Sequence, residues 1–374
     1  VPAAQDLFIK EMNVLLQNES YLHSIGTYDN PKGHQRFREN LAEFLCDSHG
    51  WPISADNIAI TNGSQNSFFY LFNALAGKMP DGTSGQIQLP ITPEYIGYAD
   101  IGISEGMFTA SLPKIELLDE RQFKYRVDFK QLEIADSSVA MCLSRPTNPT
   151  GNVVTDNELA KLDVLARQHD IPLIIDGAYG TPFPNLVYES ASAIWNDNTI
   201  LALSLSKLGL PGVRTGIVVA NKEVITLMGR VNAIATLAPN SMGAAIMNRL
   251  MVDREVKSLC EDILQPFYQQ KLSAALELFG SYFLDFPVRY HKPEGAFFMW
   301  LWFEDLPVAS RELYERLKER LVLIIPGEDF FIDVDKDWLH QRECIRINYA
   351  QPQDKLERGF KIIAEEIQQV YEAG

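Results

Sequence analysis

The sequence is poor in cysteine, and its few cysteines are far apart. Cys46, Cys142, Cys260 and Cys344 are the only four in 374 residues, and no Cys-x-x-Cys pair occurs. This spacing excludes a zinc ribbon and a thioredoxin-like redox motif, so no metal site is predicted. Cys142 and Cys344 lie in apolar, strand-like stretches, where a buried thiol is the usual case. This cysteine usage favours a reducing compartment, the cytoplasm.

Positive charge is scarce as well. The chain has 33 lysine and arginine residues against 49 aspartate and glutamate residues, a net charge of −16. This balance argues against a surface for nucleic acid or for an anionic membrane. The longest strongly apolar run, "AFFMWLWF" at 296–303, is far too short to span a bilayer, and no signal peptide is visible. The absence of a Gly-x-Gly-x-x-Gly motif and of a P-loop disfavours a nucleotide-binding dehydrogenase.

The first two thirds of the chain alternate between strand-like and helical patterns. The helix predicted at 155–170 begins with a capping box formed by Thr155 and Glu158. Buried strands are predicted at 57–61, 137–144, 171–176, 199–206 and 216–220. The alternation predicts an α/β fold with a large, doubly wound and mostly parallel sheet, in which ligands bind at the carboxyl ends of the strands.

The last hundred residues differ in pattern, and 374 residues suit two domains. Two strands are predicted around a tight turn at Pro293–Gly295, then a helix at 309–320, strands in "LVLIIPG" and "CIRINYA", and a closing amphipathic helix. We therefore expect a large domain over 31–265 and a smaller α+β domain over 1–30 and 266–374. A long helix at about 244–282 is expected between them.

Two ionisable residues follow buried strands. Lys207 comes directly after the strand at 199–206, where an amine can bond to an aldehyde or act as a general base. Asp176 ends the strand at 171–176, and a buried carboxylate there needs a partner such as a protonated pyridine nitrogen. Tyr179 could reach a ring hydroxyl from the same side. The alternatives are a solvated lysine, a helix-capping aspartate and a surface tyrosine.

Phosphate chemistry is suggested at two places. Gly63, Ser64 and Gln65 lie where a strand passes into a helix, and a helix N-terminus favours an anion. Arg214 is a planar, permanent cation that suits phosphate. The alternatives are a capped turn and a loop charge in solvent.

Three further positions are ambiguous by themselves. Tyr95 and Tyr98 follow a short strand, and a ring there could stack on a flat cofactor or simply pack. Asn148 lies in a loop stiffened by Pro149, where its amide can donate to a fixed oxygen. Arg346 interrupts an apolar strand, as either a salt-bridged residue or a receptor for a carboxylate.

As a set, these residues resemble the fold-type I, pyridoxal-phosphate-dependent aminotransferases. The resemblance lies in the order Asn, Asp-x-x-Tyr, Ser-x-Ser-Lys, Arg-x-Gly and a late Arg, from "YDNPKG" at 28 to "IRINY" ending at 349. It implies a pyridoxal 5′-phosphate enzyme with a large sheet domain and a smaller domain.

The resemblance also implies a role for each matching residue. Lys207 would bond to the cofactor, Asp176 would pair with the ring nitrogen, Tyr179 and Asn148 would contact the ring hydroxyl, and Tyr95 would stack on the ring. On the phosphate side it implies Gly63, Ser64, Gln65, Ser204, Ser206 and Arg214. Arg346, with Asn148, would receive the substrate α-carboxylate. Tyr28 would reach the phosphate of a neighbouring subunit, which implies a homodimer.

Within the family, four stretches are similar to members that move an amino group between valine and pyruvate by a ping-pong mechanism. They are "TPEYIGYAD", "SRPTNPTGNV", "SLSKLGLPG" and "HKPEGAFFMWLWFEDLP". Two features depart from the family pattern. Arg145 replaces the first residue of the commoner NPxNPTG motif, and no N-terminal arm with a substrate-covering glycine loop precedes "VPAAQDLF".

Three other readings remain open from the sequence. The chain could be a different aminotransferase or a carbon–sulfur lyase of the same fold, which would need no oxo-acid acceptor. It could also be a non-catalytic, aminotransferase-like sensor, although such proteins carry a basic DNA-binding extension that this acidic chain lacks.

Overall fold

A computed structural model describes residues 1–17 and 19–373. The strands are β1 (Ile58–Thr61), β2 (Gly77–Lys78), β3 (Ser84–Leu89), β4 (Phe108–Ala110), β5 (Lys114–Leu117), β6 (Gln122–Arg126), β7 (Ser138–Ser144), β8 (Leu173–Asp176), β9 (Thr199–Ser204), β10 (Gly216–Val219), β11 (Val288–His291), β12 (Phe298–Phe303), β13 (Ile325–Pro326) and β14 (Cys344–Asn348).

The α-helices are α1 (Pro2–Leu16), α2 (Glu19–Gly26), α3 (Gln35–His49), α4 (Ser64–Leu75), α5 (Asp156–Gln168), α6 (Lys222–Ala235), α7 (Met242–Val252), α8 (Glu255–Ser258), α9 (Gln265–Tyr282), α10 (Ser310–Glu319) and α11 (Gln353–Ala373). Short 3₁₀ turns at Ile96–Tyr98, Ser206–Leu208 and Pro211–Val213 lie near the site described below. In the described parts of the chain, no helix combines the length and apolar character needed to cross a lipid bilayer.

The larger sheet has the strand order β1-β10-β9-β8-β7-β3-β2, with β4 beside β3. Strands β3, β7, β8 and β9 run parallel to one another. Strand β10 runs antiparallel to both β9 and β1, and β2 runs antiparallel to β3. The prediction of a doubly wound, mostly parallel sheet is therefore confirmed.

Both faces of this sheet are covered by helices. In β9, Leu201 and Leu203 pack into a core that includes side chains of α3, α5 and α7, and Ile200 and Ala202 pack on the opposite face against α4 and α6. Because each face has its own core, successive residues of these strands are all buried, which explains why the strands read as continuous apolar runs.

The smaller sheet has the order β13-β14-β12-β11-β6-β5. Strands β11 and β12 form the antiparallel pair predicted around Pro293–Gly295. The strand expected in "LVLIIPG" is reduced to Ile325–Pro326, which pairs with Ile345 and Arg346 of β14. Leu321, the first residue of the stretch, has a left-handed backbone (φ +61°) and lies outside the strand. The division into 31–265 and 1–30 with 266–374 stays a prediction. Strands β5 and β6 lie inside the first range, yet β6 pairs with β11 of the smaller sheet.

Helix boundaries follow local signals where those signals are strong. The predicted capping box of α5 is present, since Thr155 Oγ1 accepts from Glu158 N at 3.2 Å and Glu158 Oε2 accepts from Thr155 N at 3.0 Å. The helix expected at about 244–282 is not continuous. Arg254 has a φ of +60° between α7 and α8, and a π-helical segment, Leu259–Leu264, follows. A left-handed residue cannot continue a right-handed helix.

Candidate active site

A cavity of about 390 Å³ lies at the carboxyl edge of the larger sheet. Most of the residues predicted from the sequence line it: Ser64, Gln65, Tyr95, Asn148, Asp176, Tyr179, Ser204, Ser206, Lys207, Arg214 and Arg346. Gly63 is packed against Arg214, just outside the lining. Tyr28 lies away from the cavity and is 80% exposed. The cavity thus gathers side chains from positions up to 284 residues apart, Ser64 to Asn348.

Strand direction explains this convergence. Asp176 and Ser204 are the last residues of the parallel strands β8 and β9, so both lie at the same edge of the sheet. Strand β10 runs the other way and begins at this edge, which brings the preceding Arg214 to it. Arg214 also meets the N-terminus of α4, because β1 pairs with β10 and ends at the same edge.

The cationic end of the cavity is built around the N-terminus of α4. Gly63 has a φ of +94°, and a Cβ there would overlap the guanidinium of Arg214, so glycine is required at this position. The first N–H groups of α4, at Ser64 and Gln65, have no partner within the helix. Together with the exposed Arg214 side chain, they form a binding site suited to a phosphate.

Asp176 occupies the other, buried end. Its Oδ1 accepts from the backbone N–H of Ala178 at 2.9 Å, and its Oδ2 accepts from the hydroxyl of Tyr98 at 2.9 Å. Burial raises the pKa of Asp176 to about 6, although both hydrogen bonds and the charge of Lys207 act in the opposite direction. The carboxylate is therefore suited to a cationic partner in the cavity.

Lys207 lies between the two ends, in the 3₁₀ turn that follows β9. Its Nζ is 5.3 Å from the ring centroid of Tyr179 and 5.7 Å from that of Phe297. Burial lowers the pKa of Lys207, as do the charges of Arg346 and Arg214, while Asp176 opposes the shift. A lowered pKa increases the fraction of neutral amine, the form that acts as nucleophile or base.

Arg346 faces the cavity from β14. Its Nη1 donates to Asn148 Oδ1 at 2.7 Å, and its Cζ lies 4.5 Å from the ring centroid of Phe298. No carboxylate of the described residues forms an ion pair with Arg346, and its buried Nε has no hydrogen-bond partner among them. The salt-bridged alternative for Arg346 is therefore not what the structure shows. A guanidinium that faces a cavity and has no ion-pair partner is suited to bind a carboxylate ligand.

Tyr95 forms one wall of the cavity. Its ring packs directly on the backbone of Gly97, where a Cβ would overlap the ring, and it meets the ring of Tyr98 at a centroid distance of 5.5 Å. The half-buried ring is thus held in one place by its own turn. A fixed aromatic face of this kind suits stacking on a flat ligand.

Two residues behind the cavity were not predicted from the sequence. The contact of Tyr98 with Asp176 was not foreseen, and Glu94 was not considered at all. Glu94 is fully buried, accepts from Ser144 N at 2.8 Å and contacts the Ser144 hydroxyl. Burial raises the pKa of Glu94 to about 8. The motif "TPEYIGY" holds both residues, but no local spacing indicates partners 50 or 78 residues away.

Arg145 has a structural role. Its side chain is 6% exposed, and its Nε and Nη1 donate to the carbonyl oxygens of Val154 and Ser192 at 2.7 and 2.9 Å. It also pairs with Asp156, at the start of α5. Arg145 therefore ties the loop after β7 to its surroundings and is not a cavity residue.

The chain is similar to known proteins over most of its length. The family model described as aminotransferase class I and II matches residues 10–363. The valine–pyruvate aminotransferase of Escherichia coli strain K12 is 46% identical over 371 residues, which cover 99% of this chain and 89% of that protein.

Two crystal structures are similar over the whole chain. A putative amino-acid aminotransferase from Psychrobacter arcticum 273-4 shows 44% identity and a TM-score of 0.98, with 100% of this chain and 90% of that one covered. The valine–pyruvate aminotransferase of Salmonella typhimurium LT2 shows 46% identity and a TM-score of 0.94, with 100% and 94% covered.

Proposed function

Since the chain belongs to the aminotransferase class I and II family, we propose that it transfers the amino group of valine to pyruvate, forming 2-oxoisovalerate and alanine. It is an aminotransferase, and the family uses pyridoxal 5′-phosphate. The observation that carries the choice of substrates is the 46% identity over 99% of the chain to a valine–pyruvate aminotransferase.

The cavity fits this cofactor at both ends. Because Gly63 has no side chain, Arg214 can lie against it beside the N-terminus of α4, where a phosphate can bind. At the other end, the buried carboxylate of Asp176 can pair with a protonated ring nitrogen. When bound, the cofactor supplies an electron sink that makes the Cα proton of an amino acid labile. The residues proposed to hold it are Gly63, Ser64, Gln65, Tyr95, Asn148, Asp176, Tyr179, Ser204, Ser206, Lys207 and Arg214.

Arg346 and Asn148 are proposed to bind the α-carboxylate of the substrate. The hydrogen bond between them engages Asn148 Oδ1, which leaves the Nδ2 donor of the amide for a ligand. Lys207 Nζ, with its lowered pKa, removes the proton from Cα of valine. When pyruvate is the acceptor, the same amine returns a proton to Cα, which forms alanine.

The lining supports small, uncharged substrate side chains. The rings of Phe297, Phe298 and Tyr179 lie on the side of Lys207 and Arg346, and Tyr268 stacks on Phe297 at a centroid distance of 5.2 Å. Among the described residues that line the cavity, every charged side chain already has a proposed role with the cofactor or the α-carboxylate. A dicarboxylic substrate would need a further cation.

The assembly and its location are also proposals. Tyr28 is 80% exposed, as expected of a side chain that reaches across to a second copy, and we propose a homodimer in which it contacts the neighbouring cofactor phosphate. The cytoplasm is proposed from the four cysteines, all of which are free thiols.

The test follows the visible absorbance of the purified protein loaded with pyridoxal phosphate. Valine alone should remove the band of the bound cofactor, and pyruvate should restore it with formation of alanine. Aspartate in place of valine should leave the band largely unchanged, and Lys207→Ala should lose turnover by about 10⁴-fold. A band that valine does not change would refute the substrate, and release of ammonia without pyruvate would favour the carbon–sulfur lyase.

A further inference from the structure

At the back of the cavity, five side chains form a buried polar cluster: Glu94, Tyr98, Cys142, Ser144 and Asp176. Ser144 and Asp176 line the cavity, and the other three lie behind them. None of the five is more than 7% exposed. The cluster contains two carboxyl groups and no cation, and the amine of Lys207 lies on its cavity side. A carboxylate in such surroundings depends on the few hydrogen bonds that it accepts.

Asp176 has few donors. Among the described residues, its carboxyl oxygens accept from two groups, Ala178 N and Tyr98 OH, each at 2.9 Å. The Ala178 donor is a backbone N–H group only two residues further along the chain. It therefore moves together with Asp176 and cannot fix the carboxylate relative to the rest of the fold. Within residues 1–17 and 19–373, Tyr98 therefore supplies the one side-chain donor that links Asp176 to another part of the fold.

Tyr98 cannot easily move its hydroxyl away. The side chain is fully buried, and its ring packs against the rings of Phe68, Phe72 and Tyr95 at centroid distances of 5.2, 5.3 and 5.5 Å. Burial also raises the pKa of Tyr98 far above its usual value, so the hydroxyl keeps its proton and remains a donor. Packing of the ring thus fixes the position of the hydroxyl, and the retained proton makes the hydroxyl the donor to Asp176.

We propose that Tyr98 is a positioning residue for the cofactor, whose hydroxyl holds Asp176 in the ionised form and orientation that the ring nitrogen requires. The inference rests on the proposed function only through pyridoxal phosphate and not through the choice of valine and pyruvate. Tyr98 acts through Asp176 and does not line the cavity itself.

The expected pH dependence follows from the groups around Asp176. Those that interact with it are Glu94, Tyr95, Tyr98, Cys142, Tyr179 and Lys207. A donor to the carboxylate favours its ionised form, so loss of the Tyr98 hydroxyl raises the pKa of Asp176 above its present value of about 6. The variant then needs a higher pH to ionise Asp176.

The first experiment measures the dissociation constant of pyridoxal phosphate for Tyr98→Phe between pH 6 and 9. We expect binding about tenfold weaker at pH 7, with a smaller deficit toward pH 9. The matched control is Tyr125→Phe, which also removes a fully buried hydroxyl, one bonded to Trp300 Nε1 at 3.0 Å in the smaller sheet. Equal losses in both variants, or a loss that does not vary with pH, would overturn the proposal.

A double-mutant cycle separates positioning from a general packing effect. In the Asp176→Asn background, Tyr98→Phe should weaken cofactor binding no further, because the charge that Tyr98 supports is gone. Additive effects would contradict the proposal. Should Tyr98→Phe alone fail to fold, the double variant should fold, and failure of both would show a packing role only.

The same data distinguish this inference from the proposed function. If the wild-type protein binds the cofactor but valine does not change its absorbance, the substrate assignment fails while the Tyr98 comparison is still measured. If the wild-type protein does not bind pyridoxal phosphate at all, both are refuted.

Discussion

The two ends of the cavity hold charge in opposite ways. At the carboxylate end, Asp176 is 7% exposed and rests on two hydrogen bonds in the buried polar cluster. At the cationic end, the Arg214 side chain is exposed, and the N-terminus of α4 provides a second group that can bind a phosphate. Electrostatic interactions are strong in buried surroundings and are screened near solvent. Loss of a single charged group should therefore matter far more at the carboxylate end.

The largest effect of this comparison is expected from Asp176→Asn. Removal of the one carboxylate that can pair with a protonated ring nitrogen leaves that charge buried and unpaired, so transamination should fall by about 10²- to 10³-fold. Single-turnover kinetics with valine would measure it, and the loss should change little with added salt. Asp253→Asn, on the outer end of α7, is the control and should keep full activity. A loss under tenfold would contradict the role assigned to Asp176.

A smaller effect is expected from Arg214→Gln. Its side chain is exposed and the helix N-terminus remains, so cofactor affinity should fall by only about five- to tenfold. Because the site is open to solvent, the deficit should shrink as ionic strength rises, which equilibrium dialysis can follow. The control is Arg316→Gln, an exposed arginine paired with Glu312 on α10. A salt-independent loss as large as that of Asp176→Asn would remove the contrast between the two ends.

The smallest effect concerns the second carboxyl group of the buried cluster. The folded protein raises the pKa of Glu94 from 4.5 to about 8, so it holds this proton more tightly than the unfolded chain does. Stability from this group is therefore fully present below about pH 4.5 and is lost as pH rises toward 8. Glu94→Gln should thus be more stable than the wild type above pH 8, by about 1 kcal/mol.

Thermal unfolding from pH 5 to pH 9 would measure this difference. The gap between Glu94→Gln and the wild type should close as the pH is lowered, because both side chains are then neutral. Glu312→Gln, an exposed change on α10, should show no such trend. A gap of the same size at every pH would mean that the charge of Glu94 is not what limits stability.

Much of this protein could be read from local patterns. Apolar runs marked the central strands, and the Thr155–Glu158 capping box marked the start of α5, because both depend on near neighbours in the chain. The polar residues after strands β8 and β9 were also correctly expected to come together, since carboxyl ends of parallel strands share one edge. Their individual roles toward the cofactor stay predictions.

Other features depended on contacts between distant segments. The sequence by itself determined the central strands of the larger sheet and the chemical groups that lie at their ends. Only the tertiary structure decided that β5 and β6 join the smaller sheet and that Tyr98 donates to Asp176. It also decided that Arg145 points away from the cavity and donates to backbone carbonyl groups. A hydrogen bond between residues 78 positions apart leaves no periodic trace in the sequence, because packing of the intervening elements sets its geometry.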